Sequence, residues 1–442
     1  MKRFNAIFLS VLLALSVSCR TENSMPGSDR LDEFFDAIGS QYMGSVAVSM
    51  GGRTVYTHTS GFADIDAGIP ATVDSRYMIG SISKTFTASL VLKAAEEGRL
   101  SLDDKLADYF PSEGIPNASG ITLDDLLYHR SGLHDIFEDA TGYYDWYTTP
   151  QSRADLLAKI AAAAPDFEPG ASQQYCNAGY VLLTFVLEDV YGRSYAKLLH
   201  KKIAGPLGLG NVSLSDGIDP EKGECRSYTY RGGWNLEAET DPSVPLGAGA
   251  IMSDAADLLK FADALFHGKL GDSVLRQMKS VDGEFGRGLF PVNLLDKNGS
   301  GHNGGIDGFQ SAMCHFDDGD VTVVMCSNGN NLNQDEILYT VLQAVYGQEY
   351  VIPSFDFINL PPDILETYIG DYHSFGLGMT LHITTDGKVL VAQVDGQSPF
   401  CLEADSETWF ECPKAGIGIS FEDGNLLLHQ AGQTFEFWRV IE

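Results

Sequence analysis

A serine and a lysine three residues apart, Ser81 and Lys84, form the first pair in the sequence whose chemistry and spacing fit together. A serine hydroxyl is a weak nucleophile, so acyl transfer requires a base within hydrogen-bond reach. On a helix, side chains at i and i+3 point the same way, and a serine in the first turn also meets the positive end of the helix dipole. A lysine acts as that base in its neutral form, which burial favours. The pair therefore predicts a serine nucleophile activated by a lysine.

Two further motifs contain residue types that acyl transfer can use. Tyr175 and Asn177 form a Tyr-x-Asn triplet, and His302 opens a Gly-rich run. Each motif alone is weak: a Ser-x-x-Lys match is usually a surface helix start, the triplet is expected by chance, and a histidine beside glycines is usually a turn residue. Phe86 and Leu90 follow the serine at helical spacing, which indicates a buried helix and disfavours the surface interpretation. The three motifs together are far more informative than any one.

Hydrophobic periodicity predicts the elements that must carry these residues. A helix from Ser81 to about Glu97 ends at Gly98, a typical residue after a helix C-terminus. Alternating residues on both sides of Gly51-Gly52 predict a hairpin. Strands at both ends of the region around a helical middle imply an α+β fold in which the N- and C-terminal strands share one sheet. Further predicted segments are a mostly helical α-subdomain over 123–205, helices over 254–266 and 335–345, and paired strands over 309–316 and 321–326.

The pattern changes beyond residue 350. Three prolines punctuate 351–362, which we interpret as a linker. The tail, 363–442, consists of short alternating runs broken by Asp-Gly pairs such as Asp423-Gly424, and Asp-Gly suits a type I′ hairpin turn because that turn needs positive φ twice. The tail is therefore predicted to be a small all-β barrel or sandwich.

With its three motifs in this order, the chain resembles the serine β-lactamase and penicillin-binding-protein superfamily. It is nearest the branch of class C β-lactamases, D-Ala-D-Ala carboxypeptidases, D-aminopeptidases and family VIII esterases. The stretches 121–133 and 247–261 are also typical of the branch. The resemblance implies a catalytic domain over 30–350 with a β-lactamase/transpeptidase-like antiparallel sheet flanked by helices and an α-subdomain.

The resemblance also implies a role for each motif residue. Ser81 would be acylated, Lys84 would move its proton, and Tyr175 would assist as base and then protonate the leaving group. The backbone N–H groups of Ser81 and Gly305 would form the oxyanion hole. The implied substrate-binding residues are Asn177, His302, Asn303 and Gly304. His302 stands where class C β-lactamases have a lysine, and a histidine is only partly protonated at neutral pH, so we expect a weaker hold on a substrate carboxylate.

The resulting hypothesis is an exported serine hydrolase that cleaves an amide or ester, with a cell-wall or D-amino-acid peptide as substrate. The alternatives are an esterase or weak class C-like β-lactamase, and a non-catalytic binding lipoprotein that retains the fold. The intact set of polar motif residues argues against the last. His129 and His134 are interpreted as structural. The sequence has no cluster with metal-ligand spacing and calls for no cofactor.

Charge and the N-terminus bear on location and partners. The net charge of −31 disfavours nucleic acid and anionic lipid. Lys2 and Arg3 precede a short apolar run, so residues 1–18 are predicted to be a signal peptide. Cys19 follows as in a bacterial lipobox, which predicts lipidation, with simple secretion as the alternative, and 19–29 would be a tether. We expect a periplasmic protein or outer-membrane lipoprotein of a Gram-negative bacterium, attached to the membrane only by its lipid, and leave the oligomeric state open.

The other six cysteines are even in number and would lie in an oxidising compartment, which permits disulfides. Their spacing shows no disulfide framework. Cys314 and Cys326 would fall out of register on their hairpin. We therefore expect buried free thiols, with a bridge between Cys401 and Cys412 as the alternative.

Overall fold

The computed structural model describes residues 17–18, 25–137, 143–430 and 432–440. Most of the predicted signal peptide, the predicted lipidation site Cys19 and the first part of the predicted tether lie outside these ranges. Among the described residues, no helix combines the length and the apolar character that crossing a membrane would take.

The N-terminal three quarters of the chain contain a central antiparallel sheet, two smaller sheets and eleven helices within the described residues. The strands are β1 Val17–Ser18, β2 Tyr42–Met50, β3 Arg53–Ser60, β4 Phe62–Asp64, β5 Ile69–Pro70, β6 Tyr77–Met78, β7 Ser213–Leu214, β8 Tyr228–Tyr230, β9 Trp234–Leu236, β10 Ile251–Ser253, β11 Phe290–Leu294, β12 Lys297–Ile306, β13 Phe309–Phe316 and β14 Val321–Asn330. The helices are α1 Ser28–Ala37, α2 Ser83–Glu96, α3 Leu106–Tyr109, α4 Leu123–Leu127, α5 Arg153–Ala162, α6 Asn177–Tyr191, α7 Tyr195–Leu199, α8 Gly205–Leu207, α9 Ala255–Phe266, α10 Asp272–Met278 and α11 Gln334–Val345.

The central sheet has the strand order β1-β3-β2-β14-β13-β12-β11, with the short β8–β9 hairpin beside β14. The predicted hairpin is confirmed: Gly51 and Gly52 have φ of 59° and 67° and join β2 to β3. Because β2 also pairs with β14, the N- and C-terminal strands share one sheet, as predicted. Consecutive side chains of β14 alternate between two cores, one under α1 and α11 and one under α2, α6 and α9.

The helix that follows the nucleophile candidate matches its prediction closely. A single 3-10 turn, Gly80–Ile82, precedes α2, and Gly98 has φ of 67° just after the helix. Phe86 is fully buried and stacks on Phe261 of α9 with ring centroids 3.6 Å apart. Full burial of such a ring contributes roughly 1.5–3 kcal/mol, so α2 is firmly fixed beneath the sheet.

The tail forms a closed eight-stranded antiparallel barrel, one of the two folds expected for it. It is preceded by α12, Pro362–Glu366. Its strands are β15 Gly370–Ser374, β16 Met379–Thr385, β17 Leu390–Val394, β18 Phe400–Ala404, β19 Trp409–Cys412, β20 Ile417–Glu422, β21 Asn425–Gln430 and β22 Gln433–Arg439. Asp423 and Gly424 both have positive φ between β20 and β21, as the type I′ prediction requires.

The six cysteines beyond the tether are free thiols, five of them buried. The alternative bridge between Cys401 and Cys412 is therefore wrong. Glu403 pairs with Glu411 across β18 and β19, so continuing this register brings Cys412 opposite Leu402 rather than Cys401. Neighbouring residues on a strand face opposite sides of a sheet, which directs the two sulfurs away from each other.

Candidate active site

Ser81 lies in the Gly80–Ile82 turn, half-buried, where the chain passes from β6 into α2. Backbone contacts fix this turn from both sides. The N–H of Ile79 donates to the carbonyl of Ile251 at 2.9 Å, and the Ser311 hydroxyl of β13 donates to the carbonyl of Ile79 at 2.8 Å. The nucleophile candidate is thus held on rigid backbone, which a precisely aligned reaction needs.

Lys84 is fully buried, and its ammonium donates hydrogen bonds to oxygens of Ser81, Asn177 and Ala248. The Nζ atom donates to Ser81 Oγ at 2.9 Å, to Asn177 Oδ1 at 2.7 Å and to the carbonyl of Ala248 at 2.9 Å. The structure thus brings together the first two motifs predicted from the sequence. After loss of one proton, the same nitrogen would accept the Ser81 proton across the same contact.

The carbonyl of Ala248 reaches Lys84 because a second 3-10 turn, Leu246–Ala248, packs against α2. The preceding carbonyl, of Gly247, accepts a 2.7 Å hydrogen bond from the Thr87 hydroxyl. A Cβ on Gly247 would lie 2.5 Å from the Thr184 hydroxyl oxygen, so the close approach requires glycine. In the sequence, 247–261 is noted only as a stretch typical of the family. In the structure, Ala248 of this stretch contacts Lys84 directly.

Asn177 is the first residue of α6, and Asp135 determines its orientation. The Asp135 carboxylate, 4% exposed, accepts hydrogen bonds from Asn177 N at 3.0 Å, Asn177 Nδ2 at 2.7 Å and Ala178 N at 3.2 Å. Because the amide nitrogen is held by Asp135, the amide oxygen faces Lys84. Asp135 is not predicted from the sequence, since it lies in an irregular loop far from all three motifs. The one signal for such a carboxylate is that the first N–H groups of α6 lack acceptors within the helix.

Tyr175 precedes α6 and lies beside Lys84, with the ammonium 4.8 Å from the centroid of its ring. The ring of His129 stacks on the ring of Tyr175, with centroids 4.4 Å apart. The Nδ1 atom of His129 accepts a 3.0 Å hydrogen bond from Cys176 N. Burial, with the Lys84 charge as a smaller cause, holds the pKa of His129 well below its usual range. A neutral His129 thus supports the ring of Tyr175, a structural role consistent with its interpretation from the sequence.

His302 lies on β12, 2% exposed, with its ring 4.2 Å from that of Phe290 and 6.4 Å from that of Tyr175. Burial, followed by the charge of Lys84, lowers its pKa to about 3. From the sequence alone, the His302 ring is expected to be partly protonated at neutral pH. The structure differs, because a buried imidazole close to an ammonium stays neutral. Asn303 is exposed on the same strand.

Gly304 and Gly305 bring β12 against the Ser81 turn. A Cβ on Gly304 would lie 2.1 Å from the Ile79 carbonyl oxygen and 3.0 Å from Ser81 N. A Cβ on Gly80 would lie 2.8 Å from Gly305 N. The backbone amides of Ser81 and Gly305 therefore belong to two segments in direct contact, as an oxyanion hole requires.

His134 and Asp124 are each held by a neighbouring side chain. His134 contacts Asp166 at 3.0 Å on the surface, and Asp124 pairs with Arg287 at 2.6 Å. Within the described ranges no three histidine, cysteine or acidic side chains are grouped so that they could hold a metal ion.

The chain resembles known proteins along most of its length. The Beta-lactamase family matches residues 35–348. The sequence is 27% identical to penicillin-binding protein 4* of Bacillus subtilis over 93% of this chain and 98% of that protein. It is 28% identical to the D-aminopeptidase of Brucella anthropi over 72% of this chain and 62% of that protein. A solved D-stereospecific amidohydrolase from Streptomyces sp. has a TM-score of 0.62 and 29% identity, covering 72% of this chain and 98% of its own.

Proposed function

Because the chain belongs to the Beta-lactamase family and is a serine hydrolase, we propose that it cleaves D-amino-acyl amides or esters outside the cytoplasm through an acyl-enzyme on Ser81. The observation that supports an acyl-enzyme is the 2.9 Å contact between Lys84 Nζ and Ser81 Oγ, because this lysine is fully buried. A surface lysine would be solvated and would give no such base.

The geometry supports a role for each group in turn. Neutral Lys84 takes the proton of Ser81 as the serine oxygen bonds to the substrate's carbonyl carbon. The amides of Ser81 and Gly305 hold the resulting oxyanion, each donor lowering the barrier by about 3 kcal/mol. Tyr175, beside the lysine, gives its phenolic proton to the departing amine or alcohol and takes the serine proton from Lys84. Water then attacks the acyl carbon of the Ser81 ester, one of its protons passes to the Ser81 oxygen, and the carboxylic acid is released.

The proposal of D-amino-acyl substrates is based on the activities named for two similar proteins. A D-aminopeptidase and a D-stereospecific amidohydrolase are both similar to this chain at close to 30% identity. The similarity to a penicillin-binding protein favours a second candidate, a protein that is acylated by penicillin and only slowly released. The two candidates share the acyl-enzyme and differ in its lifetime.

Intact-mass measurement distinguishes the candidates from a protein with no acyl-enzyme. The full mature chain is treated with a fluorophosphonate and, separately, with penicillin G, and each should add one equivalent at Ser81. Ser81→Ala should stay unlabelled. Ser83→Ala is the matched control, because Ser83 belongs to the same motif but only accepts a hydrogen bond from Ile251 N, and it should still be labelled.

Turnover then identifies the substrate class. The D- and L-alanine p-nitroanilides are compared with the Ser81→Ala variant as blank. Faster release from the D isomer supports the proposal, and a long-lived penicilloyl adduct without release from either anilide supports the second candidate. Absence of any adduct in wild type would favour a non-catalytic binding protein.

Export and lipidation form a separate part of the proposal. The basic residues Lys2 and Arg3, the apolar run after them and Cys19 support a lipoprotein signal peptide. The full-length chain is expressed in a Gram-negative host with an alkyne analogue of palmitate. We expect label in the membrane fraction for wild type and none for Cys19→Ala. A cytosolic wild type that keeps Met1 and its full mass would refute export.

A further inference from the structure

The tautomer of His302 follows from one hydrogen bond. Its Nδ1 lies 2.5 Å from the backbone carbonyl oxygen of Asn303. A carbonyl oxygen can only accept, so Nδ1 carries the proton and donates it. The other ring nitrogen, Nε2, is buried and has no hydrogen-bond partner among the residues that the structure describes. His129 holds the opposite tautomer, because its Nδ1 accepts from the Cys176 N–H and leaves the proton on Nε2.

The charge state of His302 then fixes the chemistry of Nε2. Burial and the nearby Lys84 charge keep the ring neutral at neutral pH. With Nδ1 protonated and the ring neutral, Nε2 bears a lone pair and no proton. Protonating it would add a buried N–H donor with no acceptor, close to the ammonium of Lys84. His302 therefore presents a hydrogen-bond acceptor where a lysine would present a cation.

We propose that His302 is a specificity-determining residue whose Nε2 accepts a hydrogen bond from a substrate N–H group, an amide or an ammonium, so that the enzyme disfavours substrates with a carboxylate at this place. A carboxylate oxygen would meet the lone pair of Nε2 with no proton between them. An N–H group would satisfy a buried acceptor that the enzyme alone leaves unsatisfied, which is a cost that the bound substrate removes.

The surroundings of His302 favour the same choice. The ring contacts of His302 are those of Phe290 and Tyr175, which bring no positive charge. The three protons of Lys84 are directed to Ser81, Asn177 and a backbone carbonyl. Two residues beyond Gly305, Asp307 lines a cavity of about 210 Å³ together with Glu239 and Asp241, and the cation beside Glu239, Arg226, is paired with it at 3.4 Å. A substrate carboxylate would thus have to compete with Ser81, Asn177 and that backbone carbonyl for the Lys84 ammonium, and at Nε2 it would meet a lone pair.

The specificity test rests on the proposed function and uses two substrates that differ in a single group. D-alanyl-D-alanine ends in a carboxylate, and D-alanyl-D-alaninamide ends in a carboxamide with N–H donors. Wild type should cleave the carboxamide with at least a tenfold higher kcat/KM, of the order that one unmade buried hydrogen bond costs. His302→Gln offers an amide oxygen as acceptor and should keep the preference. His302→Lys supplies a cation and should reverse it.

A second measurement separates failure of this inference from failure of the proposed function. In wild-type protein labelled with [15N]histidine, the His302 ring, assigned by its loss in His302→Gln, should give the signals of a protonated Nδ1 and an unprotonated Nε2 at neutral pH. A protonated Nε2 overturns the inference whatever the activity. Equal cleavage of the two dipeptides, or a preference for the carboxylate, also overturns it. If neither dipeptide is cleaved and Ser81 takes no label, it is the proposed function that fails, and the ring signals alone then decide the tautomer.

Discussion

Replacing Asp135 by asparagine tests whether an unpredicted carboxylate sets the geometry of Lys84, the proposed catalytic base. Asp135 accepts three hydrogen bonds at the start of α6, two from Asn177 and one from Ala178 N. Asparagine keeps the size of the side chain, but it lacks the negative charge of Asp135, and its NH2 group would face the N–H donors of Asn177 and Ala178. Hydrogen bonds to charged groups contribute about 1.5–3 kcal/mol each, and loss of a helix cap costs about 1 kcal/mol. We expect Asp135→Asn to lose about 3 kcal/mol of unfolding free energy.

The effect on catalysis comes through Asn177. Without its bond to Asp135, the Asn177 amide can turn its nitrogen toward Lys84 and remove the 2.7 Å acceptor of the ammonium. Loss of one charge-assisted hydrogen bond of about 1.5–3 kcal/mol corresponds to roughly a 10- to 100-fold lower kcat. KM should change much less, because Asp135 is buried behind Asn177.

The assay combines guanidinium unfolding with steady-state kinetics on the anilide that wild type cleaves. Asp155→Asn is the matched control, since Asp155 caps α5 through Ser152 at the surface and should leave kcat unchanged. A variant at Asp135 that is destabilised yet retains the wild-type kcat would refute the reasoning. Asp135 would then be a plain helix cap, and Asn177 would need no orientation.

Three further predictions concern the backbone, pH and redox state. Gly304→Ala should lower the free energy of unfolding far more than Gly305→Ala. The added Cβ would lie 2.1 Å from the Ile79 carbonyl oxygen in Gly304→Ala, but 3.9 Å from its nearest neighbour in Gly305→Ala. Equal losses in chemical denaturation would contradict the close approach. A hydrogen bond to Asp320 raises the pKa of His267 in the folded protein. The stabilisation that His267→Ala removes should therefore be greater at about pH 5.5 than at about pH 8.5, because it is lost as pH rises through the folded pKa. A loss of stability in His267→Ala that grows with pH would show the opposite linkage. Dithiothreitol should leave Tm unchanged, because the six described cysteines are free thiols, and a drop in Tm would reveal a disulfide.

Elements governed by local patterns were predicted well from the sequence. The Gly51-Gly52 hairpin, the helix ending at Gly98 and the Asp423-Gly424 turn each depend on a few adjacent residues with restricted backbone angles. The β8–β9 hairpin was not predicted, because its strands have only three residues each and show too little alternation. The choice between barrel and sandwich also stayed open, since closure depends on pairing β15 with β22 across the whole tail.

The sequence by itself determined the family, the order of the three motifs and the candidates for the nucleophile and its lysine, because residue types and their spacing suffice for these. Only the tertiary structure decided what surrounds them. The carboxylate of Asp135, the carbonyl of Ala248 and the burial of His302 come from segments distant in the chain. Protonation states and amide orientations depend on solvent exclusion and on partners, and neither exists until those segments pack together.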